Sequence, residues 1–169
     1  MPERSNVARR YRGAMRSVVV LRLAVPSVWF GLVLGLSFIE TPLKFQAPGI
    51  TLPLGLGIGR LVFTALAIAG WVLLVTITAL AVPRPRVDRA AWAMIGAMWV
   101  VLAVQTLVIR PLLSARSDII IAGGDPGPSI LHYAYVAADV ILLALLVLWV
   151  VREAKRLPLA LADSGGPTA

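Results

Sequence analysis

The chain has 169 residues, of which 59% are hydrophobic and 14% charged, with a formal net charge of +8 and no cysteine. Soluble domains carry roughly a quarter charged residues, so this composition excludes an ordinary water-soluble fold. The lack of cysteine excludes disulfides, thiolate nucleophiles and Cys-ligated metals.

Residues 1–16 are polar and basic, with Arg4, Arg9, Arg10, Arg12 and Arg16, and are expected to fray or to lie on a membrane surface. Beyond them, residues 23–39, 61–83, 90–109 and 126–138 contain no charged side chain, and the last run resumes at Val140 after the single interruption of Asp139. A bilayer core of about 30 Å needs about 20 apolar helical residues. The expected fold is therefore an all-α, antiparallel four-helix transmembrane bundle over residues 17–152. Its helices are placed at about 17–40, 52–82, 90–110 and 130–152, with a tail at 153–169.

In the first helix Pro26 removes a backbone donor and crowds the Arg22 carbonyl, which predicts a kink, while Arg22 itself is placed to snorkel to the surface. Ser27, Gly31 and Gly35 recur every four residues, a strip where another helix backbone can approach. Pro42 biases Thr41 away from helical geometry, so this helix should end near Ile39 or Glu40. No small-x-small cleavage pattern follows it, and the helix reads as an uncleaved signal anchor. Thr51 is placed to cap the second helix, with Pro53 in its first turn and Gly55 and Gly59 as a second small-residue pair. Pro83 and Pro85 stop it. The third helix is expected to end at Arg110-Pro111, leaving residues 112–128 as the longest loop, and Ser129 to cap the fourth. Trp92 and Trp149 lie near helix ends and suit an interfacial belt.

The cations are unevenly placed. Arg4, Arg9, Arg10, Arg12, Arg16 and Arg22 precede the first span; Arg84, Arg86 and Arg89 lie between the second and third; Arg152, Lys155 and Arg156 follow the fourth. Only Lys44, Arg60, Arg110 and Arg116 fall on the other side. This asymmetry places both termini in the cytoplasm of a multi-pass plasma (inner) membrane protein. Its basic flanks then meet anionic lipid headgroups, not nucleic acid.

Asp139 is the one acid deep within a span, where a carboxylate costs about 3 kcal/mol on insertion scales and must face the bundle. His132 and Tyr135 share its side of the helix. Arg60, Arg110 and Glu40 belong to the same end and complete a candidate polar cluster. It reads either as a proton or cation relay opening outward, or as a buried ion pair that fixes packing. One histidine cannot supply both axial ligands of a haem within a single chain. The Gly55–Gly59 run lacks the strand and Walker lysine of a nucleotide loop. No nucleophile is matched with a base and an orienting group. No catalytic residue, cofactor or metal is therefore assigned.

The stretch Phe38-Ile39-Glu40-Thr41-Pro42-Leu43-Lys44-Phe45-Gln46-Ala47-Pro48-Gly49, with Gly55 to Phe63 after it, resembles a family of uncharacterised four-helix bacterial membrane proteins. Leu21-Arg22-Leu23 and the apolar spacing give a more distant likeness to DoxX-like proteins. The resemblance implies four helices and a plasma-membrane location, and no activity. The expected function is non-enzymatic: a structural or partner-binding membrane component, or a homo-oligomer joined through the Gly31/Gly35 and Gly55/Gly59 faces. The alternative is a small proton- or ion-coupled transporter using the cluster around Asp139.

Overall fold

Apolar residues at helical spacing bury one stripe of each rod and leave the rest apolar as well. The computed structural model describes residues 2–83 and 85–162, and they are all-helical apart from short connections. Arg84 of the basic connection and residues 163–169 of the tail lie outside the described residues. The first rod joins α1 (Pro2–Val33), a π-helical stretch Leu34–Glu40 and α2 (Thr41–Lys44). The second is α3 (Leu52–Ala81). The third joins α4 (Arg89–Ala103), a π-helical stretch Val104–Ile109 and α5 (Arg110–Ile121), and the fourth is α6 (Leu131–Ala162). All four rods are long and apolar enough to cross a membrane.

The rods form a closed ring: α1 packs on α3 and α6, and α4 with α5 fills the space between those two. Ala91, Ile95, Met98 and Leu102 of α4 interlock with Leu66, Leu74 and Ile77 of α3, with Leu142, Leu146 and Trp149 of α6, and with Trp29 and Val33 of α1. Gly70 lets this happen in the middle of α3, because an added Cβ there would meet Leu102 at 3.3 Å and the Trp29 ring at 3.5 Å. Leu61, Ile68, Val72, Val100, Leu107 and Leu148 point outward and exposed. An apolar exterior of that extent suits lipid as solvent.

Pro26, Pro42 and Pro111 lie within the first and third rods, and at the last two the helix continues where the sequence predicts an end. Pro26 leaves the Arg22 carbonyl without its helical donor, and Trp149 Nε1 of α6 supplies one at 3.0 Å. Trp149 is fully buried by this bond and is not part of an interfacial belt. Pro42 and Pro111 do not end their helices. Each follows a π-helical stretch, whose wider turns shift the carbonyl that the proline ring would strike. Thr41 Oγ1 donates to the Leu36 carbonyl at 2.9 Å in the first of them. The first rod thus runs on to Lys44 and the third to Ile121, and the expected 112–128 loop shrinks to 122–130. Helix also extends outward at both chain ends, over residues 2–16 and through Pro158 to Ala162.

Arg22 does not snorkel. Its side chain is 2% exposed and donates to the Leu80, Pro83 and Pro85 carbonyls at 2.8, 2.9 and 2.7 Å. It thereby closes the C-terminal end of α3, while Glu153 of α6 lies 3.9 Å away as its counter-ion. Asp88 secures the neighbouring turn: Oδ1 accepts from Ala91 N at 3.0 Å and caps α4, and Oδ2 receives Arg152 and Arg156.

Arg22→Met is expected to lower stability by about 3–5 kcal/mol, because it leaves three carbonyls without their donor and the buried Glu153 with Arg156 alone, at 3.8 Å. Trp149→Phe should cost about 1–2 kcal/mol. Denaturant unfolding in mixed micelles measures both, and unchanged midpoints would refute the assignment. The Ala91 amide, helped by Arg156 and Arg152, holds the Asp88 carboxyl below its ordinary range. That contribution is complete above the ordinary pKa the carboxyl has when unfolded and is lost as pH falls through the lowered folded value. In an acid titration Asp88→Asn should lack this component of stability, and identical pH profiles for the two proteins would contradict the reading.

Candidate functional site

The continuation of two helices past their prolines creates a cavity that a four-span hydropathy reading does not contain. Lys44 and Phe45 at the end of the first rod, α3 near its start, α5, and the first turns of α6 enclose about 200 Å³. Thr51 Oγ1 accepts from Leu54 N and sets the start of α3. Ser129 Oγ accepts from Leu131 N and sets that of α6. Arg116 holds the connection between α5 and α6 by donating to the Gly127 and Pro126 carbonyls.

Gly55 and Gly59 form part of the cavity wall, where the end of the first rod comes close to α3. A Cβ on Gly55 would stand 2.2 Å from Phe45 Cε1, and one on Gly59 would stand 2.9 Å from Lys44 Nζ. The missing side chains thus seat the ring and the ammonium group. The Ser27, Gly31 and Gly35 strip makes no such close approach: nothing lies within 4 Å of a Cβ added to Gly31 or Gly35, and Ser27 Oγ turns back to the Leu23 carbonyl.

Arg60, Arg110, His132 and Tyr135 all line the cavity. Lys44, Ser114 and Ser117 join them, residues the sequence reading left in loops because it ended both helices too early. Lys44 Nζ is 3.4 Å from Glu40 and faces the Phe45 and Phe63 rings at 5.6 and 5.7 Å. Arg60 reaches Asp118 at 2.6 Å. Arg110 donates to Thr64 Oγ1 at 2.8 Å, and that hydroxyl donates in turn to the Arg60 carbonyl at 2.6 Å. Among the described residues no carboxylate lines the cavity, and no three His, Asp or Glu side chains gather as a metal site.

Asp139 stands apart from this group. It is 2% exposed and meets neither arginine; its Oδ1 accepts from Gln105 Nε2 at 2.8 Å, and Oδ2 is buried without a partner. Ser37 faces the same carboxyl, at a geometry short of a hydrogen bond. Ser37 and Gln105 each come from one of the two π-helical stretches. Gln105 escaped the sequence reading, which followed charge; the signal that could have found it is an amide in an otherwise apolar run. A void of about 10 Å³ beside Asp139 is also bordered by Tyr135, whose ring packs edge-on against Phe63 at 5.4 Å. Tyr135 therefore borders both the cavity and the buried acid.

Comparison with protein-family models, curated proteins and solved structures finds no match, and nothing in it bears on the likeness noted above.

Gly55→Val is expected to push Phe45 out of the wall and to destabilise the protein by about 1–3 kcal/mol. Gly31→Val should stay within about 0.5 kcal/mol of wild type. Thermal unfolding in detergent compares them, and equal losses would contradict the assignment of Gly55 to Phe45.

Proposed function

We propose that this chain is a non-enzymatic protein of a bacterial plasma membrane that crosses four times with antiparallel helices and keeps both termini in the cytoplasm. Its work is binding, at the outward end of the bundle. The observation that carries this reading is the cavity of about 200 Å³ between Lys44, Arg60, Arg110 and Tyr135. Its walls depend on two prolines carried within helices and on a glycine matched to a single ring, which is more construction than packing alone needs. The orientation is supported by the excess of arginine at the opposite end, where Arg86, Arg89, Arg152 and Arg156 surround the 82–88 connection. Basic residues there also suit anionic lipid headgroups. The uncovered Ser27, Gly31 and Gly35 strip leaves room for another membrane helix, in a second copy or in a partner.

One observation favours a transport reading beside this one. Tyr135 separates the cavity from a buried, half-satisfied Asp139, and intramembrane acids commonly mark ion or proton routes. Under that reading Asp139→Asn abolishes coupled flux in proteoliposomes while the protein remains folded.

The binding reading predicts that protein purified from its native membrane carries a small molecule, detected by mass spectrometry after solvent extraction. Ser114→Trp, which fills the cavity, should lose it while retaining the wild-type unfolding midpoint. The same extract from both proteins would contradict the proposal.

A further inference from the structure

We infer that the cavity is a seat for an oxyanion head carried on an apolar chain, an inference that rests on the binding function proposed above. Three basic side chains reach it and, among the described residues, two carboxylates answer them: Glu40 at 3.4 Å from Lys44 and Asp118 at 2.6 Å from Arg60. Arg110 is the third cation, and its hydrogen bond goes to the neutral Thr64 hydroxyl. A cation in an apolar setting is costly unless paired and hydrogen-bonded. A carboxylate or phosphate ester placed between Arg110 and Arg60 supplies both the charge and the acceptors. His132 and the hydroxyls of Ser114 and Tyr135 line the same space and can complete the shell of a tetrahedral or planar oxyanion.

Phe45, Leu56, Phe63 and Leu113 give the cavity an apolar surface beside these groups. A bare inorganic anion leaves that surface unused. At about 200 Å³ the cavity is also smaller than the roughly 300–1,000 Å³ of pockets that enclose a whole drug-sized ligand. It holds a head and the first carbons of a chain. Such a ligand comes either from the membrane, as an anionic lipid, or from outside the cell, as a free amphiphilic acid.

Isothermal titration in a neutral maltoside tests this with n-octyl phosphate, n-octanol and inorganic phosphate. The wild type should bind octyl phosphate at least about tenfold more tightly than either of the others, the scale of one charge-assisted hydrogen-bonded pair. Arg110→Gln should lose about tenfold in octyl phosphate affinity, Arg110→Lys should regain most of it, and Arg86→Gln, at the other end of the bundle, should match wild type. Repeating the titration in nanodiscs separates the two sources. Weaker binding in phosphatidylglycerol than in phosphatidylcholine discs supports the seat with lipid as its occupant; equal binding supports it with a free amphiphile. Octanol bound as tightly as octyl phosphate, with Arg110→Gln unaffected, overturns the anion seat and leaves the binding function standing. So does the absence of heat with all three probes when the purified protein still yields its co-purified compound. Loss of that compound as well overturns both.

Discussion

Lipid offers no hydrogen bonds, so every proline inside a spanning helix frees a carbonyl that the protein itself must satisfy or move. This chain carries three such prolines, and the architecture follows from how each is met. At Pro26 the freed Arg22 carbonyl takes the indole N–H of Trp149, which ties α1 to α6. At Pro42 and Pro111 the helix widens into π turns and continues. The first solution locks one end of the bundle, and the other two build out the opposite end.

The two ends consequently differ in chemistry. Around Arg22 three carbonyls and a buried glutamate meet one guanidinium, and Trp149 donates to the Arg22 backbone carbonyl, while Glu153 Oε1 is left without a hydrogen bond. Replacing any one of these partners leaves the others buried and unpaired, so the cluster acts as one unit rather than as separable contacts. At the far end the accounting is incomplete. Arg110 has a hydroxyl where Lys44 and Arg60 have carboxylates, and apolar side chains share the walls with these polar ones. Asp139 lies between the two ends, half-satisfied by Gln105 and reached from the cavity side by Tyr135. Residues from both π-helical stretches meet at this level, in keeping with the frequent occurrence of such turns at functional sites.

Hydropathy and the cost of charge in lipid made four helices and a buried Asp139 legible in the sequence. They could not show the partner of that acid. Gln105 carries no charge, and its side chain finds Asp139 only through the register of a π turn, which depends on packing. The same blindness placed helix ends at Pro42 and Pro111, where the local rule is sound for an isolated chain but yields to tertiary support. Gly55 and Gly59 fit the spacing of a helix-helix face, yet a ring and an ammonium group occupy their space. Spacing records that small residues are required and not which atom approaches. Arg22 was legible as a cation near a helix end, whereas the three carbonyls that hold it belong to the end of α3 and the connection after it, 58–63 residues away.

The central claim is that the Arg22 end and the cavity lie on opposite sides of one membrane, with the cavity facing out. Because the natural chain has no cysteine, single Ser117→Cys and Arg86→Cys variants can be probed in intact cells with a membrane-impermeant maleimide. The account predicts that the cysteine at 117 is labelled in intact cells and the one at 86 only after permeabilisation. Labelling of both before permeabilisation, or the reverse order, would contradict it.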